Sequence, residues 1–241
     1  MTRTLTDATV GQLAAERPDS MRVFEKFGID YCCGGDATLI DACREHDIDP
    51  EPVLRELNDL RTTESPDQTN WTTAPLSDLA DNIEHVHHAY LKTEMPRLDD
   101  LARKVVTAHG DRHPELFEVK RIVHRLKAEL ESHILREELV LFPLCRRIDH
   151  TVGRPDWLYG SIQNPISVMS HEHQEVGDQL ARLRRLTNNY QPPEDACNSY
   201  SALYEGLAAL DVDMHKHVHK ENNILFPRVI AAEARLASRS N

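Results

Sequence analysis

Two similar stretches decide the fold of this chain: HILREELVLFP at residues 133–143 and HVHKENNILFP at residues 217–227. Both follow the pattern H-x3-E-x3-L-F-P. A further histidine lies at nearly the same distance upstream of each copy, His88 before the first and His173 before the second. The second half therefore repeats the first, and each half supplies one histidine followed by a His-Glu pair.

The spacing of these residues predicts that they point inward. Positions i, i+3, i+4 and i+7 share one face of a helix. The histidine and glutamate of the first copy share a stripe that contains Ile122, Leu126, His133, Glu137, Leu141 and Leu144. Those of the second copy share a stripe that contains Leu203, Leu207, Leu210, Met214, His217, Glu221 and Leu225. His173 lines up with apolar residues in the same way, and we expect all five polar residues in the core.

In the first helix, two adjacent histidines are candidates for the inward-facing position. His88 lines up with Leu91, Met95 and Leu98, whereas His87 lines up with Leu79, Ile83 and Tyr90. Helical arithmetic alone does not choose between these two stripes.

Imidazoles and carboxylates on inward faces favour a metal site. Burying an ionised carboxylate without a partner costs on the order of several kcal/mol, even after the protein relaxes around it. Two divalent or trivalent cations would neutralise the set, with Glu137 and Glu221 bridging and the imidazoles as terminal ligands. The alternative is an ordinary i, i+4 hydrogen bond within each pair, which the repeated spacing makes less favoured. A ferritin-like site would show Glu-x-x-His at i, i+3 instead.

The sequence around the two stretches predicts a four-helix bundle. Its long helical segments are expected at about 76–108, 115–147, 165–188 and 194–220, with a short continuation. Glycine and proline residues mark the breaks. Pro96 lies inside the first segment and should remove a backbone hydrogen bond and kink it.

The N-terminal part predicts a small helical domain. Its short helices are expected at 9–16, 18–27, 39–45 and 50–61, with the tetrad CCGG at residues 32–35 after the second. The polar, proline-bounded segment 62–75 predicts a linker. We therefore predict an all-α chain with domains at 1–61 and 76–241.

The composition of the chain argues against several classes of binding partner. The 241 residues carry a net charge of −12, which argues against nucleic acid or anionic membrane as partners. No apolar run approaches the roughly 20 residues of a spanning helix, and the N-terminus lacks a secretory pattern, so we expect a soluble, cytoplasmic protein. Histidine is abundant, with 14 residues, which suits metal binding. Five cysteines in a chain this long do not predict a disulfide scaffold.

With these motifs the chain resembles the iron-sulfur cluster repair family (repair of iron centres), with a ScdA-type N-terminal domain and a hemerythrin-like (HHE) bundle. The resemblance also involves DYCCGG at residues 30–35, Trp71 and PISVM at residues 165–169. It implies two iron ions in a non-haem, oxo-bridged centre, and it selects His88 over His87. The iron ligands that it implies are His88, His133, Glu137, His173, His217 and Glu221. Glu129 and Glu172 match further carboxylates of the family near the site, although a solvent-facing position is equally favoured for each.

The chain departs from oxygen-carrying hemerythrins at one position. Those proteins have a second histidine one turn after the histidine of the third helix, where this chain has Gly177 after His173. One iron is therefore expected to keep a coordination position open to water, an oxo bridge or a diatomic gas. This makes reversible oxygen storage less favoured than labile or reactive iron.

Cys32 and Cys33 are the signature of the N-terminal part. Gly34 and Gly35 allow a tight turn and a close backbone approach, and the start of a helix near Thr38 is expected to lower the thiol pKa. This arrangement favours thiol redox chemistry or transient contact with iron or a cluster, and the alternative is a pair of buried, apolar-type cysteines. The other three cysteines, Cys43, Cys145 and Cys197, are interpreted as structural.

These observations favour a cytoplasmic stress protein that repairs iron-sulfur clusters damaged by nitric oxide or oxidants, without enzymatic turnover, by supplying iron. Damaged iron-sulfur proteins are the expected clients, and homodimer formation is left open. The alternatives are a di-iron redox enzyme acting on nitric oxide, oxygen or peroxide, and a gas or redox sensor.

Overall fold

The computed structural model describes residue 5 and residues 8–60, 69–151 and 160–238. These residues form α-helices and π-helical turns without a β-strand, which confirms the all-α prediction. The α-helices are α1 Val10–Glu16, α2 Ser20–Phe27, α3 Leu39–Glu45, α4 Pro50–Asp59, α5 Leu76–Asn82, α6 Ala89–His109, α7 Glu115–Arg136, α8 Phe142–Ile148, α9 Gln163–Leu186, α10 Asn198–His219 and α11 Phe226–Ser238. The first, second and third π-turns are Ile83–His88, Glu137–Leu141 and Lys220–Leu225. None of the described helices has the length and apolar character needed to cross a membrane.

The chain forms two compact units. One comprises Met1–Leu79, Arg147–Asp156 and His215–Asn241, and the other Ala80–Arg146 and Trp157–Met214. We call them the cysteine unit and the bundle unit. The domain boundaries expected from the sequence remain a prediction, and residues 62–68 of the expected linker lie outside the described residues.

Local signals start the short helices of the cysteine unit. Thr9 and Gln12 form a capping box at α1, and the side chain of Thr38 accepts a hydrogen bond from the backbone N–H of Asp41 at α3. Pro50 occupies the first position of α4, and Gly28 ends α2 at a φ of 71°. Their apolar faces share one core, which includes Val10, Leu13, Phe24, Tyr31, Leu39, Val53 and Leu57.

Four helices surround the core of the bundle unit. Helix α6 packs on α7, and α7 packs on α9. Helix α10 is joined to α9 by the ion pair of Arg184 with the buried Asp211, and to the first π-turn by a 2.8 Å contact of His87 Nδ1 with Asp213 Oδ1. Helix α6 continues through Pro96. The kink expected at this proline remains a prediction.

Proline explains the position of two π-turns. The backbone N–H of Phe142 donates to the carbonyl of Glu137, and that of Phe226 donates to the carbonyl of Glu221. Each bond spans five residues instead of four. The next residue is Pro143 or Pro227, whose ring would collide with the carbonyl four residues earlier in a regular helix and has no N–H to donate. A wider turn accommodates this ring.

The π-turns also explain two results of helical arithmetic. Ile83 and His88 are both buried although they are five residues apart, because the first π-turn contains an extra residue. The first stripe is buried up to His87 but not at Tyr90, which is half-buried, and the second is buried from His88 onward. The second π-turn shifts the inward face similarly, and the expectation for Leu144 was wrong: Leu144 is half-buried, whereas Phe142 and Cys145 are fully buried.

Candidate metal centre

The bundle unit brings three histidines and one glutamate together. His133 Nε2 lies 3.1 Å from His173 Nε2 and 3.3 Å from Glu137 Oε1. His88 Nε2 lies 3.3 Å from the other oxygen, Oε2, of the same glutamate. Glu137 and His88 are completely buried, and the other two are nearly so. The carboxylate of Glu137 thus lies between two imidazoles from different helices.

A second layer of carboxylates orients two of these rings. Glu172 Oε2 lies 2.7 Å from His133 Nδ1, and Glu138 Oε1 lies 3.0 Å from His88 Nδ1. Because an ionised carboxylate can only accept, each Nδ1 carries the proton. In the neutral ring, Nε2 then presents a lone pair toward Glu137, which is how outer carboxylates orient metal-binding histidines.

Both outer carboxylates are held in the ionised form. The hydrogen bond from His133, together with that from Arg136, lowers the pKa of Glu172 below its ordinary value, although burial opposes the shift. At Glu138, burial acts to raise the pKa, but hydrogen bonds from Lys92 and His88 outweigh it, so the pKa is lowered. These carboxylates therefore remain acceptors for the imidazoles at neutral pH.

The donor set fits a metal ion. Imidazole nitrogens and the oxygens of Glu137 converge at separations of 3.1–3.3 Å in a buried space, and a bound cation would neutralise the carboxylate there. Imidazole and carboxylate ligands suit iron, and also manganese and zinc.

The cysteine unit contains the other predicted His-Glu pair. His217 Nε2 lies 3.1 Å from Glu221 Oε1, and both side chains are buried. His217 belongs to α10, and Glu221 belongs to the third π-turn.

The same helical segment also holds the cysteine loop. Asn223 Nδ2 donates to the carbonyls of Tyr31 and Cys32, at 3.2 and 3.0 Å. His219 Nδ1 lies 3.3 Å from the carbonyl of Tyr31, and burial lowers the pKa of His219 to about 4. The ring is therefore neutral at ordinary pH, and it donates through Nδ1. The residues that hold the loop thus alternate along the chain with His217 and Glu221.

The thiol of Cys32 differs from the expectation. The hydrogen bond to Cys33, burial, and the negative charge of Asp30 raise the pKa of Cys32 well above its ordinary value. The prediction of a lowered pKa was therefore wrong for this residue, because the helix start near Thr38 does not offset a buried site beside a carboxylate. The close backbone approach expected at the glycines is present at Gly35, where an added Cβ would lie 2.2 Å from Asn223 Oδ1.

The two additional predicted carboxylates have different surroundings. Glu172 contacts a candidate ligand, as described above. Glu129 instead pairs with Arg125 at 2.6 Å and accepts a hydrogen bond from Gln179 at 2.7 Å. Of the remaining cysteines, Cys43 and Cys145 are buried, whereas Cys197 is exposed, with its sulfur 3.2 Å from His109 Nε2.

Sequence reasoning missed Glu138, Asp30 and Asn223. Glu138 follows Glu137 directly, and its role depends on the phase shift of the second π-turn. Asp30 precedes Cys32 by two residues, which is the spacing of a side chain that caps its own turn, and this signal was available. Asn223 has no local signal.

Known proteins resemble the chain over both regions. A family described as "Hemerythrin HHE cation binding domain" matches residues 79–229, and ScdA_N, described as "Domain of Unknown function (DUF542)", matches residues 6–61. Proteins named "Iron-sulfur cluster repair protein YtfE" from Escherichia coli O157:H7 and Shigella boydii are each 35% identical to the chain, and one from Citrobacter koseri is 34% identical. Each alignment covers 94% of this chain and 98% of the relative.

Proposed function

Because the chain belongs to the hemerythrin HHE family, and within it to the family of iron-sulfur cluster repair proteins, we propose that it is a two-iron protein that takes part in the repair of iron-sulfur clusters. The iron ligands in this proposal are the six residues singled out by the duplication: His88, His133, Glu137, His173, His217 and Glu221. Glu137 and Glu221 would supply the carboxylates of this ligand set, and the four histidines the imidazoles.

One observation carries the metal assignment: the buried carboxylate of Glu137 has a histidine nitrogen 3.3 Å from each of its two oxygens. An ordinary i, i+4 hydrogen bond within the His-Glu pair would account for a histidine at only one of these two oxygens. The His-Glu repeat adds support, because the second copy has a matching contact of 3.1 Å. The HHE match at residues 79–229 also includes both copies in one domain.

The chain's own residues would set how firmly iron is held. Glu172 and Glu138 orient His133 and His88 through their Nδ1 atoms, which favours retention of the metal. Gly177, one turn after His173, has no side chain and offers no ligand atom. Bound iron would supply a labile ion or a redox centre, and the missing side chain at Gly177 favours the labile ion.

The bound iron is proposed to be used in the repair of damaged client proteins. Iron-sulfur proteins injured by nitric oxide or oxidants are the clients, the cytoplasm is the compartment, and donation of iron is the repair step. Thiol redox chemistry or cluster contact at Cys32 and Cys33 remains a prediction. The match to repair proteins over 94% of the chain supports this function.

The second candidate is a redox enzyme that acts on nitric oxide, oxygen or peroxide. The same Gly177 position is compatible with it, because a coordination position without a protein ligand also admits a small molecule. Steady-state consumption of these molecules with an electron donor would distinguish an enzyme from an iron donor.

The test begins with the metal content of anaerobically purified protein and its ultraviolet-visible spectrum. We expect about two irons per chain, in line with binuclear carboxylate sites, and a large loss in the Glu137→Ala/Glu221→Ala double variant. Glu205→Ala, at an exposed position of α10, is the matched control and should retain its iron. Full iron occupancy in the double variant would overturn the ligand assignment.

The repair step needs its own measurement. Iron-loaded wild type is incubated with an iron-sulfur protein whose cluster has been damaged by nitric oxide, and recovery of the client's activity is followed together with iron transfer. We expect recovery with wild type and with Glu205→Ala, and none with the double variant. Recovery that requires an electron donor, without loss of iron from the chain, would favour the redox enzyme.

A further inference from the structure

The turn containing Cys32 and Cys33 is built around the carboxylate of Asp30. Asp30 Oδ1 accepts the backbone N–H groups of Cys32 and Cys33, at 2.8 and 3.0 Å, and Oδ2 accepts that of Gly34 at 3.0 Å. The thiol of Cys32 donates to Oδ1 at 3.1 Å. Three side chains with metal-binding atoms thus converge, and one such atom from each lies within 4.8 Å of the others.

The spacing of these atoms matches a metal site better than a disulfide. The two sulfurs are 3.9 Å apart and are not bonded to each other. Metal–sulfur bonds of about 2.3 Å at a tetrahedral angle separate two sulfurs by about 3.8 Å. A carboxylate oxygen bound at about 2.0 Å would lie about 3.5 Å from each sulfur, close to the 3.1 Å between Cys32 Sγ and Asp30 Oδ1.

We propose that Asp30, Cys32 and Cys33 form a second metal site, which binds one thiolate-preferring divalent cation and leaves the fourth tetrahedral position open. Two thiolates and one carboxylate suit Fe²⁺, Zn²⁺ or Co²⁺. On binding, the cation replaces the two thiol protons, which go to solvent, and no oxidation or reduction takes place. The open position allows a client thiolate to enter and the cation to pass to it.

The loop is held in this geometry from the opposite side. Its N–H groups bind Asp30, and the carbonyls of Tyr31 and Cys32 accept from Asn223 and His219. A loop fixed before binding loses less conformational entropy when the ligand arrives. Cys33 is partly exposed, so solvent reaches the site.

The site shares no ligand with the proposed two-iron centre, and this inference therefore goes beyond the proposed function. Cys32→Ser and Cys33→Ser are nearly isosteric changes that keep the Asp30 turn, and each removes one sulfur. Asp30→Asn removes the charge of the third ligand. Cys197→Ser is the matched control, because Cys197 is an exposed cysteine outside the loop.

The experiment is an anaerobic titration of the iron-loaded, full-length protein with Co²⁺, followed by the thiolate-to-cobalt charge-transfer absorption. We expect about one tightly bound cobalt with tetrahedral ligand-field bands in wild type and in Cys197→Ser. Cys32→Ser and Cys33→Ser should each lose at least about tenfold in affinity and part of the charge-transfer intensity. Asp30→Asn should lose affinity by a similar factor while the thiolate band remains.

The proposal is overturned if wild type shows no thiolate band, or if either serine variant binds Co²⁺ as wild type does. Unchanged affinity in Asp30→Asn would remove Asp30 from the site. If a variant folds poorly by circular dichroism, the wild-type protein alone still tests the site: Co²⁺ should protect Cys32 and Cys33 from alkylation, measured by mass spectrometry, and equal alkylation with and without Co²⁺ would refute the site. Iron content, measured in parallel, separates this outcome from failure of the bundle centre.

Discussion

The contact of Gly35 with Asn223 allows a quantitative test of how the cysteine loop is held. In Gly35→Ala, the added Cβ would lie 2.2 Å from Asn223 Oδ1 and 2.9 Å from its Cγ and Nδ2. The asparagine must move and give up its hydrogen bonds to the carbonyls of Tyr31 and Cys32. Overpacking costs about 1–3 kcal/mol, and each hydrogen bond contributes about 1 kcal/mol. We expect the free energy of unfolding to fall by about 2–3 kcal/mol.

A double-mutant cycle identifies the cause. Asn223→Ala alone should cost about 2 kcal/mol, for the two lost hydrogen bonds. Gly35→Ala added to it should cost almost nothing, because the obstacle is gone and Gly35 does not have a positive φ. The coupling energy then has a magnitude of about 2–3 kcal/mol, measured by urea unfolding of the four proteins.

Gly34→Ala is the control for this cycle. Its added Cβ would meet the backbone oxygen of Asp30 at 3.1 Å, and Asn223 is not among its three nearest neighbours. Its cost should therefore add to that of Asn223→Ala. If Gly35→Ala and Asn223→Ala are also additive within about 0.5 kcal/mol, the steric argument is refuted.

Three further changes probe the metal centre and the thiols. Glu172→Gln weakens the acceptor at His133 Nδ1, so iron affinity should fall about 10–100-fold in a chelator competition; unchanged affinity would contradict the orienting role. Gly177→His adds a ligand one turn after His173, and should slow iron release to a chelator and weaken azide binding; wild-type rates in a folded, iron-replete variant would exclude an open position. Cys32→Ser/Cys33→Ser should keep the bundle iron but impair cluster repair, and loss of that iron would assign the cysteines to the bundle centre.

The helices were predictable because their signals are local. The capping threonine at α1 and Gly28 after α2 act on neighbouring backbone groups, so sequence alone located these helices. The same holds for the inward position of His217, which follows from the periodicity of α10, and for that of Glu221, which lies one turn later near the start of the third π-turn.

The residues that could not be predicted depend on non-local contacts or on irregular turns. Helical arithmetic left His87 and His88 undecided because the first π-turn changes the inward face, with His87 directed to Asp213 and His88 to Glu137. Gly35 contacts Asn223, which is distant in the sequence, and no sequence pattern near either residue predicts this contact.

The second and third π-turns have a consequence for protein engineering. Glu137 and Glu221 each accept a π-turn hydrogen bond at the main-chain carbonyl. A proline follows shortly after each turn. The backbone conformation at these glutamates is therefore part of what orients their side chains. Grafting only histidines and glutamates onto a regular helical scaffold would reproduce the ligand types with a different rotation about the helix axis. A transplant that keeps the backbone of the centre must therefore carry the whole H-x3-E-x3-L-F-P segment, including the proline, which binds no metal but requires the wider turn.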